Sequence, residues 1–353
     1  MHMADALLAP AVAGVMYAAS AAAVGVSVHT LRKDEQQPAK LPTMAVSAAL
    51  VFAGQMINYT IPGTGSSGHL CGGMLLSALL GPQAGFLSMA VILTIQCLFF
   101  ADGGLLALGA NIWNMAFYGC FVGYYLIWRP IMHSKWLSGM GGKAAGRVKI
   151  ILASILGCVV TLQLGAFSVV IETSLSGITE LPFGTFLAVM QPIHLAIGLV
   201  EGLITSAVLV FVWEARPELL QDVQTSGNSG RCSVRTTLIV LAVAAAVVGG
   251  GLSLLASGNP DGLEWSLFGN SEAGYSENMG LDEDSFGVSS DAADTAASIQ
   301  GWTAFLPDYA FSGSDSALGT SVSGLVGAGL VAAVAAAICA IGGFFRKKKS
   351  SAK

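Results

Sequence analysis

The chain opens Met1-His2. A free α-amine, the next amide nitrogen and the Nδ1 of a second-position histidine can close two fused chelate rings on one ion. A planar set of nitrogen donors suits Ni(II) or Cu(II). The arrangement needs a free amine on Met1, and the bulky His2 disfavours removal of that methionine. The alternative is a solvated side chain at the end of the chain. His69 closes a Gly-rich stretch, Gly63-Thr64-Gly65-Ser66-Ser67-Gly68, whose glycines let the backbone fold back closely. With Met1 and His2 it supplies a four-nitrogen site; otherwise it anchors the start of a helix. Cys71 is either a further thiolate or a small packing residue.

His194 and Glu201 are seven residues apart and share a helical face. At a rise of about 1.5 Å per residue they lie about 12 and about 22 Å from the outer end of their segment, where ionisable groups are costly and suspect for function. They either relay protons or a cation, or tie helices together by hydrogen bonds. Asn111 and Asn114, with Gln55, Gln96 and Gln163, are polar groups within apolar stretches that suit interhelical hydrogen bonding. Asn58, Asn111, Asn114, His194 and Glu201 are the candidates for a supporting shell or an ion path. No Gly-x4-Gly-Lys-[Ser/Thr] phosphate loop occurs, so ATP hydrolysis by this chain is not expected. Cys2His2 and His-Glu-x-x-His spacings are absent too, and the sequence reads as a non-enzyme.

The elements that position these residues must suit a bilayer. Of 353 residues 54% are hydrophobic and 10% charged, against roughly 25% charged in soluble proteins, so a soluble enzyme or a nucleic-acid binder is disfavoured. Nine apolar stretches are candidate crossings: 9–30, 41–58, 68–81, 84–101, 105–128, 149–171, 186–213, 236–257 and 320–345. The third is short and must be kinked, shielded by protein or matched by a thinner bilayer. All 16 Lys and Arg fall in four stretches, 32–40, 129–149, 216–235 and 346–353. Nine crossings with the N-terminus outside and the C-terminus inside place every one of them on the cytoplasmic side. The expected fold is an all-α, multi-pass protein of the cell membrane. That topology also puts Met1, His2 and His69 together outside.

The apolar start lacks the basic residues of a signal peptide; Asp5 stands there instead, and a cleaved leader is not expected. The composition divides the chain into a seven-helix part, 1–213, a basic linker, 214–235, and a second part, 236–353, with two helices around a long acidic loop. The linker holds Ser226-Gly-Asn-Ser-Gly230 and reads as flexible, and residues 285–298 read as poorly ordered. The six cysteines have no Cys-x-x-Cys pair, and no disulfide framework is expected. Gly14, Ala18 and Ala22 form a small-residue stripe, for packing within the chain or for docking a partner.

Several motifs, in order, resemble a known family. Met1-His2-Met3-Ala4-Asp5, Gln55-Met56-Ile57-Asn58, Ser67-Gly68-His69-Leu70 with Gly72-Gly73, Asp102-Gly103-Gly104-Leu105, Gly109-Ala110-Asn111 through Asn114, and His194-Leu195-Ala196-Ile197-Gly198 with Glu201 are similar to the CbiM/NikM signatures. These proteins are the substrate-binding membrane subunits of nickel and cobalt energy-coupling-factor transporters. Pro260-Asp261-Gly262-Leu263-Glu264 resembles the signature of their small accessory subunit, so the chain looks like a fusion of the two. The resemblance implies a divalent metal held by Met1, His2 and His69. It also implies a transmembrane coupling subunit and two ABC ATPase subunits as partners. Met3, Ala6 and Cys71 depart from the family's usual Ile, Gly and aliphatic residue.

The resulting expectation is a subunit that captures Ni(II) outside the cell for ATP-driven uptake, with no intrinsic cofactor. Co(II) uptake for cobalamin synthesis is the close alternative. A proton-coupled secondary carrier using His194 and Glu201, and a structural membrane protein, are the other classes.

Overall fold

The computed structural model describes residues 1–33, 37–135, 142–178, 180–223, 232–271, 274–275, 279, 281, 286–311 and 316–350. The Ser/Gly stretch 226–230, expected to be a flexible linker, lies outside the described residues. The chain is mostly helical. After a 3-10 turn, Asp5–Leu7, come α1 (Pro10–Leu31) and α2 (Gln37–Gln55), then a short antiparallel hairpin, β1 (Tyr59–Ile61) with β2 (Ser66–Gly68). Next are α3 (Gly73–Leu80), α4 (Pro82–Phe100) and α5 (Leu108–Asn111), which runs on as a π-helix, Ile112–Trp128, into α6 (Arg129–Met132). Two long helices, α7 (Gly142–Leu175) and α8 (Phe183–Ala215), complete the first part. The second part contains α9 (Val234–Gly250), α10 (Gly262–Phe268), α11 (Asp291–Thr303) and α12 (Ala317–Ser350).

Helix covers most of the apolar runs, because a long apolar stretch outside water leaves the backbone no partners but its own. Among the described residues five spans are long and apolar enough to cross a membrane: Pro10–Leu31, Pro82–Phe100, Lys143–Leu175, Phe183–Ala215 and Ala317–Ile338. The third apolar stretch corrects the expectation in detail. Its helix covers only Gly73–Leu80, every residue of it buried, while the residues ahead of it form β2 and a loop. The Gly-rich sequence at 63–68 bends readily, and the hairpin satisfies backbone groups that a helix would otherwise take.

Close approach between helices rests on glycine. A Cβ at Gly202 of α8 would lie 2.6 Å from the Ile155 Cα of α7, and one at Gly73 of α3 would lie 3.0 Å from the Gly119 Cα of the π-helix. The stripe Gly14, Ala18 and Ala22 faces out of the chain; α1 packs instead through Ala13, Ser20 and Ser27, with the Ser20 hydroxyl donating to the Gly109 carbonyl (2.7 Å).

The second part is not a tethered appendage. Its helices α9 and α12 pack along α2, and its loop lies across the end of the bundle that carries Met1. The segment expected to be poorly ordered contains α11, started by the Ser290 side chain, which accepts from Ala293 N–H. Gln300 of α11 donates to the Cys97 and Gly103 carbonyls (2.9 and 2.7 Å), and Val288 N–H to the Ala6 carbonyl (2.8 Å). These bonds, from one amide side chain and one backbone N–H, tie this stretch to the backbone of the first part.

Candidate metal centre

The first three residues are held against Asn111 of α5 and the loop that precedes it. Met3 N–H donates to Asn111 Oδ1 (2.7 Å), and the Met3 carbonyl accepts from Asn111 Nδ2 (3.2 Å) and Gly104 N–H (2.9 Å). One amide side chain thus takes the place of a neighbouring strand. Asp5 Oδ1 accepts from Ala107 N–H at the start of α5 (3.1 Å). Its carboxyl is raised by burial, against the pull of the Ala107 and Leu106 N–H groups. Met3 is fully buried, so the position of Met1 and His2 is fixed from behind.

His69 reaches the same place from the loop after β2. Glu201 accepts from Cys71 N–H (3.0 Å) and Gly72 N–H (2.9 Å), and Gln55 Nε2 donates to the Cys71 carbonyl (2.8 Å). The Met1 amine lies 3.2 Å from His69 Nε2, and the rings of His2 and His69 stack with centroids 5.3 Å apart. The structure therefore brings together Met1, His2 and His69. Among the described residues no three His, Cys, Asp or Glu side chains form a ready cage for an ion, and the donor set depends on the Met1 amine.

Two carboxylates, neither singled out from sequence as part of a site, hold the arms of this set. The Met1 amine donates to Asp261 Oδ2 (2.5 Å), which is 3.7 Å from His69 Nε2. His2 Nδ1 lies 3.1 Å from Asp102 Oδ1, and Tyr309 donates its hydroxyl to Asp102 Oδ2 (2.5 Å). Burial pushes the His2 imidazole down to about 4, helped by the Met1 ammonium and His69 and opposed by Asp102. The ring is neutral at neutral pH, as a ligand must be. Burial alone would raise the Asp261 carboxyl, but the Met1 ammonium and His69 outweigh it and hold it well below the usual range. Asp261 and Tyr309 belong to the second part of the chain. Asp261 also caps α10, its Oδ1 accepting from Leu263 and Glu264 N–H (2.8 and 3.0 Å). The sequence signal for Asp102 and Asp261 was present only as motif membership: charge in a loop reads as solvation until packing buries it.

The supporting candidates separate into different roles. Asn111 clamps Met3. Asn114 donates to Glu172 Oε2 (2.8 Å) and lies 3.6 Å from the Met3 sulfur. Glu201 anchors the His69 loop. Asn58 meets the second part through its carbonyl, which accepts from Ser257 N–H (2.7 Å), and is not at the centre itself. His194 lines a cavity of about 20 Å³ beside the cluster together with Met1, His69, Cys71, Met115 and Asp261. Cys71 donates its thiol to the Met115 carbonyl (3.2 Å).

Residues 2–219 match the family described as the cobalt uptake substrate-specific transmembrane region, CbiM, and residues 235–342 match the PDGLE domain. The chain belongs to the CbiM family. It is 36% identical over 349 residues to a putative fused nickel transport protein of Archaeoglobus fulgidus, covering 96% of this chain and 98% of that one. It is 30% identical to a fused nickel transport protein of Rhodobacter capsulatus, covering 94% and 95%, and 32% identical to a cobalt transport protein of Sorangium cellulosum, covering 64% and 96%. A crystal structure of a transition metal transporter shares the fold of this CbiM part, with a TM-score of 0.51 and 32% identity over 62% of this chain and 94% of that one. The apolar helices and these relatives make the chain a multi-pass membrane protein of metal transport.

Proposed function

We propose that the protein is the substrate-specific subunit of an importer, that it captures Ni(II) at the outer membrane face, and that a transmembrane coupling subunit and two ABC ATPase subunits drive uptake. The observation that carries this reading is the meeting of the Met1 amine, His2 and His69 Nε2 at one place, within 3.2 Å for amine and imidazole. Nitrogen donors of this kind suit Ni(II) and also accept Co(II). The relatives that span nearly the whole of this chain are named for nickel, which supports nickel first. Co(II) is the second reading, favoured by the name of the Sorangium relative. Nine crossings, with the N-terminus outside and all 16 Lys and Arg inside, give the site its outward address.

In the structure the chelate is open. The amine is held by Asp261, and His2 Nδ1, the atom the fused rings need, is held by Asp102. Capture then exchanges two carboxylate contacts for metal bonds, releasing the ammonium and His2 amide protons to water while the His2 ring proton moves from Nδ1 to Nε2, and the accessory loop bearing Asp261 senses the exchange. The test is to purify His2→Ala and His69→Ala and measure bound Ni(II) by metal analysis and uptake in cells. Each variant is expected to bind Ni(II) at least about 10-fold more weakly than wild type and to lose uptake; normal values in both defeat the proposal.

A further inference from the structure

The cavity beside the capture cluster has a wall that the cluster does not use. His194 is 1% exposed, and its Nδ1–H donates to the Met190 carbonyl (2.8 Å). A carbonyl only accepts, so this bond fixes the tautomer and leaves the lone pair on Nε2. That Nε2 is buried and, among the described residues, has no partner. A buried polar atom left so is costly, which calls for a reason. One nitrogen tied to a carbonyl and the other free is how an imidazole is set to take a metal.

His69 has the same disposition. Its Nδ1–H donates to the Leu70 carbonyl (3.1 Å), and its Nε2 lone pair faces the Met1 amine (3.2 Å). Both imidazoles line the one cavity, whose 20 Å³ takes a single water or a single ion. Its roof is the accessory loop: a Cβ at Gly262 would lie 3.4 Å from His194 Nε2 and 2.7 Å from Ile197 Cδ1. Glycine there lets the loop seat directly on the histidine. His194 also lies about 16 Å along α8 from Phe183 at about 1.5 Å per residue, well into the helix.

We propose that His194 and His69 form a second, inner station for the transported divalent cation. The ion leaves the Met1-His2 chelate for His194 Nε2, with His69 as the imidazole common to both positions. Neither imidazole has to lose a proton for the step, since both already present a lone pair. Imidazole selects Ni(II) or Co(II) over Mg(II) and Ca(II). This inference rests on the capture reading above.

The test uses the full-length chain, with Co(II) as probe followed by its ligand-field absorption. In His2→Ala the outer chelate is lost, and one Co(II) is expected to bind the inner pair at least about 10-fold more weakly than wild type binds it. His2→Ala combined with His194→Leu is expected to bind none. His194→Leu alone is expected to keep the first Co(II) affinity within about 3-fold, while uptake in cells containing the transport partners falls at least about 10-fold. His194→Gln, which keeps an amide donor for the Met190 carbonyl, guards against misfolding and is expected to behave alike. Equal Co(II) binding by His2→Ala and the double variant overturns the station, and so does wild-type uptake in both His194 variants. Loss of the first Co(II) from both, with unchanged thermal unfolding, also overturns it by assigning His194 to the capture site. No Co(II) or Ni(II) binding by wild type refutes the capture reading itself, a distinguishable result.

Discussion

The two ends of the helical bundle treat polar groups in opposite ways. At the end away from Met1, Asp222 accepts from the Tyr124 hydroxyl (2.6 Å) and lies 3.9 Å from Arg129 Nε and 3.8 Å from His133 Nε2. Beside it Gln221 donates to the Ala78 and Leu79 carbonyls (2.8 and 3.1 Å), closing the end of α3, and accepts from Trp128 Nε1 (3.0 Å). Those ion pairs are exposed or half-exposed and have settled partners; each is worth little. At the Met1 end the carboxylates of Asp261 and Asp102 are as half-buried as Asp222, but their partners Met1 and His2 are almost wholly enclosed; one amine is shared between Asp261 and His69, and among the described residues His2 Nε2, Asp5 Oδ2, Asn114 Oδ1, Glu172 Oε1 and His194 Nε2 have no partner. Satisfied polar groups stitch a bundle together. Unsatisfied ones also occur singly elsewhere, as at Arg216 Nε, but the group around Met1 marks where something else is to bind.

The strongest way to break this contrast is to move the amine. One residue added before Met1 displaces it from the chelate and from Asp261, and Ni(II) affinity of the purified protein is expected to fall at least about 100-fold by equilibrium dialysis. Unchanged affinity would mean that the cluster is only a structural knot. Next in size is Asn111→Leu, which removes both bonds to Met3. Two buried hydrogen bonds at about 1 kcal/mol each, plus the cost of stranding the Met3 amide, make affinity about 10- to 100-fold weaker. A binding titration that matches wild type would show that the first three residues hold their place without the clamp.

The helices were legible because apolar length is written directly in sequence, and Met1, His2 and His69 because glycine, histidine and a chain end are unusual there. The short α3 was misjudged by five residues at its start, since Gly68 to Gly72 are as compatible with a hairpin and loop as with a helix end. The Ser285–Ser298 region looked unstructured by composition; its bond from Val288 to Ala6, and those of the adjoining Gln300 to Cys97 and Gly103, join residues almost 200 or more positions apart, which no local pattern reports. Asp261 and Asp102 were missed as contacts for the same reason. His194 and Glu201 looked alike as buried ionisable groups, yet Glu201 has both oxygens occupied by the His69 loop while His194 keeps Nε2 free.

A subtler change sharpens the contrast. Asp261→Asn removes the charge that holds the Met1 amine but keeps Oδ1 as the cap of α10, because Asn caps as well as Asp. Metal and Asp261 compete for that amine, and a charged hydrogen bond contributes about 1.5–3 kcal/mol, so losing it is expected to tighten Ni(II) binding at least about 10-fold. Weaker binding would mean instead that the carboxylate stays on the ion.

The smallest effect on metal belongs to the other end. Asp222→Asn keeps a hydrogen-bond acceptor for Tyr124 but loses the attraction to Arg129 and His133. The half-exposed setting limits the loss to about 1 kcal/mol of stability, read as a lower thermal midpoint. Ni(II) affinity is expected to stay within about 2-fold, since the charge sits at the far end of the helix Ile112–Trp128 from the Met1 cluster and is separated from it by apolar packing. A larger change in affinity would show that the two ends are coupled, and that the loop at 217–222 takes part in moving the ion.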